Sequence, residues 1–384
     1  HEIAGLPLLG HALATASSLG AAHVVPVIRH QRDLIANYIE TYFPHATIAD
    51  QDEVPGTGRA VECALNALPA DFNGAVVVTS GDVPLLDVPT LESLIDAHLA
   101  GGFAATILTS IVEDPAGYGR IIRSNDGKFI QIIEDRDADA EQLEITEVNA
   151  GVYVFDAALL RNALTKVGSH NAQGEKYLTD AAAELIHEGF KVQALAVADN
   201  WLVAGINDRV QLGEVAAELN YRICEAWQVA GVTIQDPSST WIDVTVQLAQ
   251  DVTILPGTYL HGFTKIETGS VVGPEVVLVD VEVGENAKVV KSHATGSKIG
   301  AGATVGPFSY LRPGTELGAD GKIGTFVETK NAKIGAGSKV PHLSYVGDAT
   351  IGEQSNIGAG TIFANYDGVK KHSSTIGSHV RTGS

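Results

Sequence analysis

Asp82 stands in SGDVPLL (80–86), directly after the apolar run AVVVT (75–79). Such a run makes a buried strand of an open α/β sheet, and ligands of such sheets bind beyond the carboxyl ends of the strands. A carboxylate there can hold Mg²⁺ against substrate phosphates, and it can equally cap the next turn. PGTG (55–58) opens a helical stretch whose first amides can bind an anion or a base edge. GYGR (117–120), EVNAG (147–151) and NAQGEKYLTD (171–180) are polar islands between apolar segments, each readable alone as turn chemistry. Far along the chain, GPFSYLRPGT (306–315), FVETKNAKIG (326–335), VPHLSYVGDA (340–349) and ANYDGVKK (364–371) concentrate Arg312, Lys330, His342, Tyr345, Asn365 and Lys371. Cations converging on one groove suit a phosphorylated sugar, whereas scattered Lys on a repetitive surface is simply solvated. His342 is of the type best poised to remove a proton near neutral pH.

These residues need elements to position them. LPLLGHALATASSL (6–19), RDLIANYIETYF (32–43) and TGRAVECALNAL (57–68) have helical apolar spacing, and AHVVPVI (22–28) and AVVVT are strands between them. Strands alternating with helices predict an α/β domain on a largely parallel sheet over 1–207. Over 208–230, Val215, Leu219, Ile223 and Trp227 recur every four residues, the stripe of a long linker helix. Beyond it aliphatic–Gly pairs appear at Val283-Gly284, Ile299-Gly300, Val305-Gly306, Ile323-Gly324, Ile334-Gly335, Val346-Gly347, Ile351-Gly352, Ile357-Gly358 and Ile376-Gly377. Their six-residue steps predict a parallel β-helix over 231–384, a register that a β-sandwich would not need. The aliphatic residue is expected to point inward and the glycine to permit the sharp corner. PHLSY (341–345) and IFANYDGVKKHSS (362–374) interrupt the repeat, and such insertions loop out on the binding side.

The chain has 384 residues, with 25 Lys and Arg against 46 Asp and Glu, a net charge of −21. That surface argues against duplex nucleic acid or anionic lipid as the main partner. Two distant cysteines, Cys63 and Cys224, fit a reduced cytoplasmic protein. No signal peptide is visible, and the apolar runs are too short to span a bilayer, so no membrane partner is expected.

In order, QDEVPGTG, SGDVPLL, DPAGYGRI, IIEDRDA, EVNAGVY, NAQGEKYLTD and VAGINDRVQL resemble the sugar-nucleotide pyrophosphorylases. Joined to a hexapeptide β-helix, they are similar to the bacterial family of bifunctional N-acetylglucosamine-1-phosphate uridyltransferases and glucosamine-1-phosphate N-acetyltransferases. The resemblance covers essentially all 384 residues. It implies a Rossmann-like nucleotidyltransferase domain and a left-handed β-helix. It implies that Gln51, Gly56 and Thr57 hold the uracil and neighbouring sugar of UTP, that Asp82 and Asn207 hold Mg²⁺, and that Gly119, Glu134 and Asn149 line the N-acetylglucosamine pocket. The sugar-phosphate oxygen then displaces pyrophosphate directly.

In the second half the resemblance makes His342 the general base and places glucosamine-1-phosphate on Arg312, Lys330, Tyr345, Tyr366 and Lys371. Asn356 and Asn365 contact the sugar and its amine, and Ser384 lies near the acetyl group of acetyl-CoA. The sites are expected between β-helices of a homotrimer. Acetylation comes first and uridylylation second, giving UDP-N-acetylglucosamine for peptidoglycan and cell wall biogenesis. A pyrophosphorylase for another sugar would not need His342, Tyr345, Asn365 and Lys371, and a non-catalytic scaffold would not need Asp82 and Asn207. The family's Gly-rich signature and following lysine belong just ahead of HEIAG (1–5), and its coenzyme A coils beyond Ser384. Both termini are therefore expected to be incomplete.

Overall fold

The computed structural model describes residues 1–169 and 171–383. Contacts divide the chain into two compact units, one of His1 and Pro7–Val215, the other of Glu2–Leu6 and Ala216–Ser384. The elements run β1 (Glu2–Ile3), β2 (Leu6–Pro7), α1 (Leu8–Ser18), β3 (Val27–Ile28), α2 (Arg32–Tyr42), β4 (Ala49–Asp50), α3 (Thr57–Ala67) and β5 (Ala75–Val78). Then come α4 (Val88–Gly101), β6 (Ala105–Ile111), β7 (Arg120–Arg123), β8 (Phe129–Ile133), β9 (Glu147–Asp156), α5 (Ala157–Lys166), α6 (Thr179–His187), β10 (Val192–Ala196) and α7 (Arg209–Val229).

The strand expected over 22–28 shortens to β3, because Pro26 has no N–H and contributes only its carbonyl, accepting from Ala49 N at 3.0 Å. β3 pairs with β4 in parallel. The six-stranded sheet runs β10-β6-β9-β7-β8, with β5 also on β9. β5, β6 and β7 are each antiparallel to β9, and β10 is parallel to β6. Four strands thus share one direction, but the reversed β9 between them makes most ladders antiparallel, which corrects the largely parallel sheet expected. β6 is buried on both faces. Ile107 joins Tyr153, Phe155, Leu160 and Leu185 in one core, while Leu108 joins Val152, Val154, Leu91 and Leu94 in the other. α4 is held at both ends: Asp87 accepts from Thr90 N at 2.9 Å, and Gly102 closes it at φ 59°.

In the second unit short strands stack in three parallel sheets. The first climbs from Thr233–Ile234 to Lys339–His342, the second from Trp241–Ile242 to Tyr345–Gly347, the third from Gln247–Leu248 to Ser374–Ile376. Each coil gives one strand to each sheet, the arrangement of a parallel β-helix. The inward column of the first sheet, Ile254, Val272, Val289, Val305, Ile323 and Val340, is almost fully buried. Cys224 of α7 joins this core, with Ile223 and Trp227 packed against it. Outward, the third sheet alternates in sign in register: Lys265, Glu282, Lys298, Glu316, Lys333. Lys298 pairs with Glu282 at 3.0 Å and Lys333 with Glu316 at 3.5 Å.

The glycines of the repeat work differently from expectation. Left-handed corner conformations fall on Asp280, Lys291, Phe308, Phe326, Asn331, Leu343, Asp348 and Gln354. A Cβ on Gly284, Gly300 or Gly318 would instead lie 2.6 Å from a backbone nitrogen of the next coil. Most of these glycines are there for close stacking rather than for the corner, with Gly306, at φ 100°, the exception among the pairs.

Candidate active sites

In the first unit the PGTG loop is zipped to 176–178. Gly58 N donates to Lys176 O at 2.8 Å, Lys176 N to Pro55 O at 3.0 Å, and Leu178 N to the Thr57 hydroxyl at 3.1 Å. A side chain on Gly56, at φ 113°, would collide with the Lys176 backbone. Gln51 leaves β4 and donates its carboxamide N–H groups to Val54 O and Gly56 O, both at 3.1 Å. Its carboxamide oxygen is left able to accept from a base edge. Gln51, Gly56 and Thr57 therefore form one loop, locked by NAQGEKYLTD.

Gly119, Glu134 and Asn149 also come together. A Cβ on Gly119 would lie 3.4 Å from Glu134 Oε2 and 3.6 Å from Asn149 Cβ, and Asn149 N donates to Gly119 O at 2.8 Å. Asn149 is fixed by donating to the Tyr153 hydroxyl at 2.7 Å and accepting from Gly151 N at 3.1 Å. The Thr179 hydroxyl donates to Glu134 at 3.0 Å. Burial pushes the Glu134 carboxyl up, and Asp180, Asp137 and Glu175 add to it. A buried clamp behind this pocket was not legible in the sequence. The Arg120 guanidinium, 2% exposed, pairs with Asp135 at 3.1 Å, and Asp135 accepts from Gly117 N at 3.1 Å. It fastens the GYG loop to the end of β8. A cavity of about 230 Å³, lined by Ser110, Val148, Trp201 and Ala204, opens beside Tyr118.

Asp82 lies just past β5, and its carbonyl accepts from Ile206 N at 3.1 Å, which brings the segment of Asn207 alongside. Burial raises the Asp82 carboxyl, and no ion pair involves it among the described residues. No cluster of three or more His, Cys, Asp or Glu able to hold a metal occurs among the described residues. One desolvated carboxylate, with the segment of Asn207 alongside, fits a magnesium ion that would take its other ligands from phosphates and water.

In the second unit the cations converge. Lys330 is in register with Gly347, and Arg312 N donates to Thr329 O at 2.9 Å in the neighbouring coil. The Lys330 ammonium is pushed down by Lys371 first and Arg312 after it, with Asp348 opposing. Arg312 pairs with Glu328 at 3.0 Å. Asn365 donates to Asp348 at 2.6 Å and to the Tyr345 hydroxyl at 3.3 Å. A side chain on Gly347 would collide with that hydroxyl, so the glycine makes room for Tyr345. Asn331 donates to Asp348 at 2.9 Å, and Asn331, Asn365, Lys330 and Lys371 together hold the Asp348 carboxyl below the usual range.

Tyr366 is exposed, gives its hydroxyl to Gly368 O at 2.7 Å within its own loop, and is bridged through its backbone to Lys371 of the cation group. His342 is exposed at the end of the first sheet, opposite Thr325. Asn356 lies in that same column between Lys339 and Arg381. Among the described residues neither His342 nor Asn356 is hydrogen-bonded to the cation group, whose Lys330 and Arg312 belong to the second sheet and whose Lys371 lies in the loop of Tyr366. Ser384 lies outside the described residues. Asp348, Glu328, Thr179 and Arg120 were missed in the sequence. For Asp348 a signal existed: an acid inside the apolar YVGDAT, next to an interrupted repeat.

The Nucleotidyl transferase family model matches residues 2–244. "Bifunctional protein GlmU" of Clavibacter sepedonicus is 61% identical over 384 residues, spanning 100% of this chain and 78% of that protein. The chain belongs to the GlmU family. The GlmU protein of Leifsonia xyli subsp. xyli is 60% identical over 99% of this chain and 78% of its own length, and that of Mycolicibacterium smegmatis 56% identical over 100% and 80%. As a GlmU family member with a nucleotidyl transferase match, the chain is a bifunctional transferase. No helix among the described residues is long and apolar enough to cross a membrane.

Proposed function

We propose that the second unit transfers acetyl from acetyl-CoA to glucosamine-1-phosphate, and that the first transfers uridylyl from UTP to the N-acetylglucosamine-1-phosphate so formed, giving UDP-N-acetylglucosamine in the cytoplasm. The observation that carries this reading is the crowding of Lys330 by Lys371 and Arg312 in a chain of net charge −21. Like charges pressed together on a half-exposed face are relieved by a dianionic phosphate.

In the first unit Gln51, Gly56 and Thr57 hold the nucleoside, while Gly119, Glu134 and Asn149 hold the sugar. The sugar-phosphate oxygen attacks the α-phosphorus in line with the departing pyrophosphate, a step that needs alignment and charge neutralisation more than an acid or base. Asp82 and Asn207 hold Mg²⁺, which supplies that neutralisation when bound. In the second unit Arg312, Lys330, Tyr345, Tyr366 and Lys371 hold the phosphorylated sugar, and Asn356 and Asn365 its ring and amine. His342 takes the amine proton as nitrogen attacks the thioester carbonyl, and the thiolate leaves. His342 and Asn356 fall in a different column of the β-helix from Arg312 and Lys330, which supports a site completed between left-handed β-helices of a homotrimer, with Ser384 at the acetyl group.

Separate assays test this: pyrophosphate release for the first unit, thiol release for the second. His342→Ala is expected to lower acetyl transfer at least about 100-fold and spare uridylyl transfer, with Asp82→Ala doing the reverse. Loss of both activities from either change would overturn the two-site reading.

A further inference from the structure

Asp348 draws both orientation and meaning from what surrounds it. It sits at a β-helix corner, at φ 47°, directly after Gly347. Its two oxygens are both engaged: Oδ1 accepts from Asn331 Nδ2 at 2.9 Å and Oδ2 from Asn365 Nδ2 at 2.6 Å. An ionised carboxylate can only accept. Asn365 therefore has no choice about which way its amide points, although nitrogen and oxygen are otherwise nearly interchangeable in shape. The same Nδ2 also reaches the Tyr345 hydroxyl at 3.3 Å. With its nitrogen committed on that side, Asn365 can offer the cation-lined groove only its carbonyl oxygen.

We propose that Asp348 is a specificity-determining positioning residue: it fixes Asn365 as an obligate acceptor and so selects a sugar phosphate bearing an amine over one bearing only hydroxyls. The proposal rests on the acetyl-transfer reading of this site and adds the origin of its acceptor preference. A hydroxyl can also donate to that oxygen, but a protonated amine donates with charge assistance and does so beside the Asp348 carboxylate. Lys330, Lys371 and Arg312 hold the phosphate end, so the Asp348 carboxylate and the Asn365 carbonyl oxygen meet the amine end without offering a second donor. Asp348 stays ionised here because two amides and two ammonium groups face it, with Glu328 engaged by Arg312 instead. A neutral residue in its place would let the carboxamide turn over and present N–H to the groove. That orientation suits a hydroxyl oxygen and repels an ammonium group.

The experiment is equilibrium binding of glucosamine-1-phosphate and glucose-1-phosphate to the full chain, by calorimetry, with Asp348→Asn and with the exchanged pair Asp348→Asn plus Asn365→Asp. The unaltered chain is expected to prefer the amino sugar at least about tenfold, and Asp348→Asn to bring the ratio below about threefold, mainly through the amino sugar. The exchanged pair restores a carboxylate acceptor oriented by an amide, and with it the preference. An equal fall in both affinities, with the ratio unchanged, would make Asp348 merely structural and overturn the inference while leaving the acetyl-transfer reading intact. Binding of neither sugar by the unaltered chain would overturn that reading itself.

Discussion

Glu134 is held in a place that disfavours its charge. Burial, then Asp180, Asp137 and Glu175, raise its folded pKa above the ordinary carboxylate value. For such a group the folded state binds more protons than the unfolded one, so stability falls as pH rises through that interval. Glu134→Gln keeps the acceptor for Thr179 and removes the penalty. It is expected to raise the unfolding midpoint of the first unit by about 2 °C at neutral pH, a gain that vanishes below the ordinary carboxylate range, while uridylyl transfer drops. Calorimetry at two pH values reads the first half, and a pyrophosphate assay the second. A gain independent of pH would mean that packing, not charge, is responsible. At this scale Gly119, Glu134 and Asn149, singled out from three separate motifs, do come together in the fold. Arg120 was illegible, and Asp348 showed only as an acid in an apolar stretch, because their roles are set by partners: Asn365 lies seventeen positions from Asp348, in an insertion whose path no local pattern dictates.

Within the elements, the hexapeptide period was plain while the reason for its glycines was not. Periodicity reports which residue recurs, and the next coil's distance decides why. A Cβ on Gly335 would sit 2.7 Å from Glu353 N, a backbone atom held in the next coil by donating to the Ser378 hydroxyl at 3.1 Å. Gly335→Ala should therefore destabilise the β-helix by about 1–3 kcal/mol, by urea midpoints. A change within about 0.5 kcal/mol of the unaltered chain would return the explanation to backbone freedom. The reversal of β9 was hidden for a related reason: VYVF inside Glu147–Asp156 has the composition of any buried strand, and direction depends on the route of the connection before it. Pro26, by contrast, was visible, and its missing N–H is what trims the expected strand to β3.

For the molecule as a whole, the change from α/β pattern to six-residue repeat was legible because two kinds of periodicity meet there. The line between units, within α7 at Val215, was not, since the helix is continuous across it. Nor was the membership of Glu2–Leu6 in the second unit, fixed by a hydrogen bond from Val244 N to Ala4 O at 3.0 Å. Coils that resemble one another bring a hazard of their own, because one set out of turn still buries an aliphatic residue. The alternating column Lys265, Glu282, Lys298, Glu316, Lys333 gives each coil a parity. A slip of one coil sets lysine against lysine about 4.8 Å apart, and only a slip of two restores attraction. Salt at about 1 M shortens the screening length to about 3 Å and erases the distinction. Refolding from urea at that ionic strength is expected to yield more mis-stacked, aggregating chains on size exclusion than refolding at low salt, and Glu282→Lys with Glu316→Lys to remove the difference. The column is then a counting device, telling odd coils from even ones while the chain winds.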